Sequence, residues 1–226
     1  MNQEGIKAKV INRQMLTENV IELTIETYHE VKVIPGQWAL FLFEDEQGPF
    51  ERIYSIVDQD TDNEKTMLIF VIKLSENGRG GAMIRKIHIG SEVTIKGIFG
   101  NFILQNTQSS KVFIGTGVGI VPVLNMAKYC TTEKQLFFSV STKKDLFYED
   151  RIKKIHGLLY EIHLSKESIP TGETGKYEYI SGRIDLTKKY FDPDSEFYVC
   201  GKPEVANDII EKLTFLGFKK IYTEKF

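Results

Sequence analysis

The hydrophobic positions in the first half of the chain come in short runs of branched and aromatic residues. Turn signals such as PGQ and EDEQGP separate these runs, as they separate strands in antiparallel sheets. Six runs of this kind predict a closed antiparallel barrel, with one helical segment at residues 81–89. The runs are KAKVI, VIELTIE, QWALFLF, RIYSIV, TMLIFVIKL and EVTIKG.

The pattern changes after the polar segment LQNTQSS, which has the composition of a linker. Strand-like runs then alternate with helix-like runs, beginning with KVFI and VPVLNMAKYC and ending with PEVANDIIEKLTFLG and KKIY. Such alternation implies right-handed crossovers and a parallel sheet. We therefore predict an α+β protein of two domains, a β-barrel at residues 1–106 and an α/β domain at residues 107–226.

Composition agrees with two soluble domains and excludes several classes of protein. The 226 residues carry 29 basic and 31 acidic side chains, and a net charge of -2 predicts neither a nucleic-acid partner nor binding to an acidic membrane surface. Only Cys130 and Cys200 are present, without a CxxC motif, so a zinc site, a disulfide scaffold and a built-in iron–sulfur cluster are not expected. With no signal-peptide pattern and no long apolar run, we expect a cytoplasmic protein.

A glycine-rich turn follows the first strand of the predicted parallel sheet. It contains Gly115, Thr116, Gly117 and Gly119, with Pro122 where a helix often begins. Glycine lets the backbone approach a diphosphate, and the amides at a helix start complement its charge. The sequence predicts a dinucleotide site here, although an ordinary strand-to-helix turn would also use glycine.

Basic and hydroxyl side chains follow the second strand of that sheet. Ser139, Lys143 and Lys144 precede Asp145, whereas NAD-selective sheets often end this strand on an acid that binds the ribose hydroxyls. The pattern favours the 2′-phosphate of NADPH over NADH, and the alternative is a lysine pair that simply solvates a loop.

The barrel half contains a second candidate site. Arg52 and Tyr54 share one face of a predicted strand and Ser55 points to the other. Further on, NGRGGAM brings Gly80 and Gly81 ahead of a helix, a second possible diphosphate cradle. Two cradles in one chain indicate two dinucleotides.

These motifs together resemble the ferredoxin–NADP reductase family in its stand-alone two-domain form. The matching segments are PGQW, RIYS, GRGGAM, IGSEVTIKGIFGNF, GTGVGIVP, DLFYED, YVCGKPE and the terminal EKF, and they cover essentially the whole chain. The resemblance implies a Greek-key barrel that binds FAD and a five-stranded parallel domain that binds NADPH or NADH.

The resemblance also implies roles for individual residues. Arg52 would bind the FAD diphosphate, Tyr54 would stack on the flavin and Ser55 would hydrogen-bond flavin N5. Ser55, Cys200, Glu224 and Phe226 would form the catalytic set, with Phe226 as a movable lid over the flavin. The remaining cofactor contacts would come from Ile53, Val71, Ile72, Lys73, Gly80, Gly81, Ala82 and Met83 for FAD, and from Gly115, Thr116, Gly117, Pro122, Ser139, Lys143, Lys144, Cys200, Gly201 and Pro203 for the nicotinamide dinucleotide.

The sequence departs from the family pattern in three places. Gly81 stands where many relatives have Ser or Thr, Ser141 stands where an Arg is usual, and Phe226 replaces the Tyr of plastid enzymes. The first change removes a hydroxyl contact to FAD, and the second leaves Lys143 and Lys144 as the basic candidates for a 2′-phosphate. The third keeps the aromatic ring.

The resemblance implies a flavoenzyme that takes hydride from NAD(P)H and exchanges single electrons with ferredoxin or flavodoxin. The alternatives are the reductase of an oxygenase that uses a separate carrier protein, a free-flavin reductase, and a non-catalytic electron-transfer subunit of a larger complex. Arg79, Arg85 and Lys86 are candidates to meet an acidic carrier, and a solvated helix face would look the same.

Overall fold

The computed structural model describes residues 5–62, 64–168 and 179–225. The chain divides into two compact units, one ending at Ile103 and the other beginning at Leu104. Each unit is a complete layer architecture with its own buried apolar cluster.

The first unit is a closed antiparallel barrel with strand order β1-β2-β5-β4-β3-β6. Strands β3, β4 and β5 follow one another, and β6 returns to lie beside β3, which is a Greek-key arrangement as expected. The elements are β1 Ile6–Met15, β2 Val20–Thr27, β3 Trp38–Asp45, β4 Gly48–Asp62, β5 Lys65–Lys73, α1 Arg79–Lys86 and β6 Glu92–Phe99.

Alternate residues of these strands fill the barrel. Ile21, Leu23 and Ile25 of β2 and Phe41 of β3 are fully buried, as the period of two in the sequence requires. Helix α1 adds Ile84 to the same cluster. This packing fixes α1 beside the strands that carry the candidate FAD residues.

The second unit is a parallel sheet with strand order β10-β9-β8-β7-β11-β12. Single turns of 3-10 helix lie at Gly117–Gly119, Lys143–Asp145 and Leu186–Lys188. The elements are β7 Lys111–Thr116, α2 Ile120–Tyr129, β8 Lys134–Val140, α3 Glu149–Lys153, β9 Leu158–Leu164, β10 Tyr179–Ser181, β11 Glu196–Gly201, α4 Pro203–Phe215 and β12 Ile221–Lys225.

The sheet has six strands rather than the five expected. The extra strand β10 has three residues, which is too short to give an alternating pattern, and it pairs with the edge of β9. The helix predicted over DLFYEDRIKKIH is confined to α3, which begins after Tyr148 in a left-handed conformation with φ of 64°. Within the described residues, every helix is too short or too polar to span a bilayer.

Candidate functional site

Strand β4 presents the RIYS motif on two faces. Arg52 lies opposite Phe41 of β3, and Ser55 lies opposite Trp38. The ring of Tyr54 packs edge-on against Phe41, with 5.2 Å between ring centres. Arg52 and Tyr54 therefore face the side of the sheet that carries the barrel core, and Ser55 faces the other side.

The first turn of α1 lies directly against this strand. A Cβ atom added to Gly80 would lie 2.9 Å from the Tyr54 hydroxyl oxygen and 3.0 Å from Cγ of Arg52. The first amides of a helix have no partner within the helix, and their positive end favours an anion. The structure thus brings the two predicted halves of a diphosphate cradle together, and this bare helix start beside an arginine fits the FAD diphosphate.

One of the predicted amide donors of the cradle already has an acceptor within the chain. The Ala82 amide donates to the Gly78 carbonyl at 3.0 Å, which is the first hydrogen bond of the helix. Met83, one position further on, is partly buried against the barrel core. The Ala82 amide would have to share its proton with this bond, so its contact to a phosphate stays a prediction, and the amides of Gly80 and Gly81 are the better placed of the predicted donors.

Glycine at position 81 is required by the loop that precedes α1. A Cβ atom there would lie 2.8 Å from the Ser75 carbonyl oxygen, and the Arg85 guanidinium donates to that same oxygen at 3.0 Å. Serine or threonine could enter only if the backbone of this loop moved. The departure from the family pattern is thus part of a local packing arrangement and does more than remove a hydroxyl.

Arg79, the first residue of α1, clamps the helix to the β3–β4 hairpin. Its Nε donates to Asp45 Oδ2 at 2.8 Å, and its Nη2 donates to Asp45 Oδ1 and to the Gly48 carbonyl. The guanidinium also lies 4.0 Å from the ring centre of Phe50. The hydrogen bonds from Arg79 hold the pKa of Asp45 below its ordinary value. Arg79 is therefore committed within the barrel unit, which weakens its candidacy as a contact for an acidic carrier.

The Ser55 hydroxyl is buried without a partner. Ser55 is 7% exposed, and its Oγ has no hydrogen-bond partner among the described residues. Burial of the neighbouring phenol raises the pKa of Tyr54 to about 12, so Tyr54 stays neutral at ordinary pH. An unsatisfied buried hydroxyl is unfavourable by itself, and a ring nitrogen of a flavin would satisfy it.

The other predicted FAD residues lie on strands β4 and β5. Ile72 belongs to the barrel core, Val71 is buried on the opposite face of β5, and Lys73 is exposed at the end of that strand. The side chain of Ile53 is 45% exposed on the face away from Arg52. A contact from Val71 or Ile72 to a cofactor would therefore use the backbone.

In the second unit the glycine turn lies at the point where the strand order reverses. Strand β7 has β8 on one side and β11 on the other, and ligands of open α/β sheets bind at such a switch point. Gly117 has φ of 55°, which favours glycine. A Cβ atom on Gly119 would clash with the Cys200 carbonyl, and one on Gly201 would clash with the Thr116 hydroxyl. The turn and the end of β11 thus touch backbone to backbone and form one edge.

Other predicted residues lie near the carboxyl ends of these strands. Ser139 pairs in register with Thr116, and Gly115 pairs with Cys200. Pro122 is the third residue of α2, where its missing amide breaks no helical hydrogen bond, and Pro203 opens α4 in the same way.

Cys200 and Glu224 are direct neighbours on strands β11 and β12. Cys200 is 1% exposed, and burial, with a smaller contribution from Glu224, raises the pKa of its thiol well above the ordinary value. The thiol is therefore protonated at neutral pH and can donate a hydrogen bond. Phe226, the fourth member of the predicted catalytic set, lies outside the described residues.

Sequence reasoning missed two residues that the structure places at these sites. Asp45 anchors α1 through Arg79, and Glu167 accepts a hydrogen bond from the Lys143 amide at 2.6 Å. Each contact joins residues more than twenty positions apart, and neither residue belongs to a motif. The EDEQGP segment, which contains Asp45, indicates only a turn between two strands.

The comparisons with known proteins agree with both halves of this arrangement. Residues 7–103 match the oxidoreductase FAD-binding domain and residues 113–211 match the oxidoreductase NAD-binding domain. The chain therefore belongs to the ferredoxin–NADP reductase family of flavoproteins, and it is an FAD- and NAD(P)-binding oxidoreductase.

Individual relatives are distant and longer. The chain is 27% identical over 154 residues to one component of the Na⁺-translocating NADH-quinone reductase of Haemophilus influenzae, covering 62% of this chain and 37% of that protein. It is 26% identical over 172 residues to the reductase component of propane 2-monooxygenase from Rhodococcus jostii, covering 70% and 46%. The chain thus spans less than half the length of these two curated relatives.

A solved structure matches almost the full length. The ferredoxin NADP⁺ reductase from Neisseria gonorrhoeae with bound FAD and NADP superimposes with a TM-score of 0.83 at 21% identity, covering 98% of each chain. At this identity the likeness shows the fold.

Proposed function

We propose that this protein takes hydride from a reduced nicotinamide dinucleotide onto FAD and passes single electrons to a ferredoxin, a flavodoxin or an oxygenase-associated carrier. The observation that carries the proposal is the contact of the bare first turn of α1 with Arg52 and Tyr54 of β4. The same strand carries on its other face a buried Ser55 hydroxyl that lacks a partner within the described part of the chain. When bound, FAD supplies the ability to accept two electrons together and release them singly.

In the barrel unit, Arg52 and the amides of Gly80 and Gly81 hold the diphosphate, while Tyr54 supplies a neutral aromatic face. Ser55 orients the flavin through its hydroxyl. Ile53, Val71, Ile72, Lys73 and Met83 complete the proposed surroundings of the cofactor.

In the α/β unit, the turn containing Gly115, Thr116 and Gly117 receives the diphosphate of the nicotinamide dinucleotide. Cys200 holds its proton and donates it as a hydrogen bond near the nicotinamide, and Glu224 beside it supports proton exchange. Phe226 is proposed to cover the flavin when the nicotinamide is absent.

The test is a purified, FAD-loaded protein mixed with NADH and with NADPH in a stopped-flow instrument. We expect loss of the oxidised-flavin absorbance, and then reoxidation when ferredoxin or flavodoxin is added. Free FMN serves as the comparison acceptor, because a free-flavin reductase would reduce it faster than either protein. A colourless protein that ignores added FAD, or a flavin that neither nucleotide reduces, would overturn the proposal.

A second candidate is the reductase component of an oxygenase, which the match to the propane 2-monooxygenase reductase favours. In that case the carrier would be a separate iron–sulfur protein, and reoxidation by ferredoxin would be faster than by flavodoxin. The Lys86 side chain at the end of α1 is exposed and could meet such an acidic carrier.

The proposal includes a cytoplasmic location. Both Cys130 and Cys200 are unpaired, as in a reducing compartment. Cell fractionation with an antibody to the protein tests this point.

A further inference from the structure

The loop that follows β9 runs alongside the loop that follows β8. The Ser165 amide donates to the Val140 carbonyl and the Lys166 amide donates to the Ser141 carbonyl, each at 2.9 Å. These bonds extend the parallel pairing beyond the strand ends. Side chains after β9 therefore lie at the edge where sheets of this type bind the adenosine half of a dinucleotide.

Glu167 is the next residue of this extension. Its Oε2 accepts a hydrogen bond of 2.6 Å from the Lys143 amide, at the start of the Lys143–Asp145 turn. Its side chain is half-buried, and its Oε1 makes no hydrogen bond within the described ranges of the chain. One carboxylate oxygen therefore fixes the side chain, and the other can accept from a ligand.

The other acid at this edge is already used. Asp145 Oδ2 accepts from the Thr142 amide at 3.0 Å and from the Thr142 hydroxyl at 2.9 Å, which makes a capping box for the same turn. Asp145 is the residue that follows the lysine pair in the sequence, yet its carboxylate closes on its own turn. Glu167, which comes from another strand, is the acid that remains.

The lysines at this edge lie among aromatic and acidic side chains. Lys143 Nζ lies 5.2 Å from the ring centre of Tyr179, whose hydroxyl is bonded to Glu149. Glu149 is in turn ion-paired to Lys153 at 2.6 Å, so that pair adds no net charge. The other charged residues here are Lys143, Lys144 and Lys166 with Asp145 and Glu167. A ribose 2′-phosphate, with a charge near -2, would therefore share this edge with two carboxylates.

We propose that Glu167 accepts the adenosine ribose hydroxyls and makes the protein select NADH over NADPH. This inference rests on the proposed function as a nicotinamide-dependent reductase, and it reverses the preference that the lysine pair suggested. Ribose hydroxyls donate well to a carboxylate, whereas a 2′-phosphate would face a like charge and would find the Lys143 amide already occupied.

The kinetic test compares kcat/KM for flavin reduction by NADH and NADPH in three FAD-loaded proteins. We expect the wild type to favour NADH by about tenfold or more, and Glu167→Gln to reduce that ratio by about tenfold. The matched control is Glu133→Gln, which removes an exposed carboxylate just before β8 begins, at the other end of that strand. It should leave the ratio unchanged, because long-range charge is screened.

A binding test separates this inference from the proposed function. Adenosine 5′-monophosphate and adenosine 2′,5′-bisphosphate differ only in the 2′-phosphate, and titration calorimetry on the FAD-loaded protein compares them without any hydride transfer. We expect the monophosphate to bind at least as tightly, and Glu167→Gln to improve only the bisphosphate.

Two results would overturn the role of Glu167 while leaving the proposed reductase function standing. One is a wild type that binds the bisphosphate more tightly than the monophosphate. The other is a Glu167→Gln variant that changes neither the NADH-to-NADPH ratio of kcat/KM nor the ratio of the two adenosine phosphate affinities. If neither nucleotide reduces the flavin, the proposed function fails, and the two adenosine phosphates still decide whether Glu167 discriminates.

Discussion

At the scale of single residues, the Ser55 hydroxyl gives the sharpest prediction. A buried hydroxyl without a partner costs a folded protein roughly 1–3 kcal/mol, and that of Ser55 has none among the described residues, so Ser55→Ala should leave the cofactor-free protein equally stable or more stable. The same change should slow flavin reduction by about tenfold or more, because the hydroxyl proposed to orient the flavin is lost. Urea unfolding of the cofactor-free protein and stopped-flow reduction of the loaded protein measure the two effects. Loss of stability without loss of rate would mean that Ser55 is a packing residue.

Gly81 gives a second prediction, which runs against the family pattern. Because a Cβ atom at this position meets the Ser75 carbonyl at 2.8 Å, both Gly81→Ala and Gly81→Ser should weaken FAD binding. The loss should be about tenfold in Kd, corresponding to a backbone shift of about 1.4 kcal/mol. Fluorescence titration of FAD measures it. Tighter binding by Gly81→Ser than by the wild type would show that the missing hydroxyl matters more than the packing.

His163 makes stability depend on pH. It is 3% exposed, and burial lowers the pKa of its imidazole below the ordinary value, against the opposing effect of Glu161 at 3.2 Å. The unfolded chain therefore binds a proton near pH 6.5 that the folded chain does not take up until lower pH, and stability falls as the pH drops below about 6.5.

His163→Gln should remove part of this loss of stability at low pH. Urea midpoints at pH 7.5 and pH 5.5 measure it, with the exposed His156→Gln as control. An equal fall in both variants would assign the pH dependence to other groups.

At the scale of elements, a buried ion pair joins the starts of β7 and β11. Lys111 and Glu196 are 2% and 1% exposed with 3.4 Å between Nζ and Oε2, and the ammonium also donates to Thr107 and Ser109. Lys111→Met alone leaves a buried carboxylate and should cost about 3–5 kcal/mol of unfolding free energy. Adding Glu196→Gln should recover part of that loss, because a neutral amide still accepts from Tyr198. A double-mutant cycle by urea unfolding measures the coupling, and strictly additive losses would contradict the pairing.

Most elements could be predicted because their patterns are local. The strands of the barrel alternate with a period of two, and the glycine turn follows a short apolar run, so both follow from neighbouring residues. Strand β10 could not be predicted, because three residues carry no period and its pairing depends on β9, fifteen or more residues earlier. The strand predicted over KKIY begins instead at Ile221, after the two lysines. The second of these lysines, Lys220, forms an ion pair with Asp194.

At the scale of the whole molecule, the motifs predict two dinucleotide-binding turns but not the acid that lies beside one of them. Gly80 lies in the first turn of α1 and Gly115 on β7, and their contacts to a diphosphate stay predictions. The pairing of Glu167 with Lys143 joins residues 24 positions apart in two loops, and nothing in either local pattern indicates it. The lysine pair suggested a phosphate site, and only the folded arrangement shows the Glu167 carboxylate beside it.

Phe226 lies outside the described residues, and its deletion tests its proposed role. Strand β12 ends at Lys225, so removing one further residue leaves the sheet complete and should not change the melting temperature. NADH and NADPH are identical at the nicotinamide end, so if Phe226 acts as the proposed lid, its deletion should change kcat/KM for both by a similar factor, on the order of tenfold. Phe226→Tyr keeps the ring and should behave like the wild type. Stopped-flow reduction with both nucleotides measures these rates. Unchanged rates would remove Phe226 from the site, and a change confined to NADPH would place its effect at the adenosine end, where Glu167 is proposed to act.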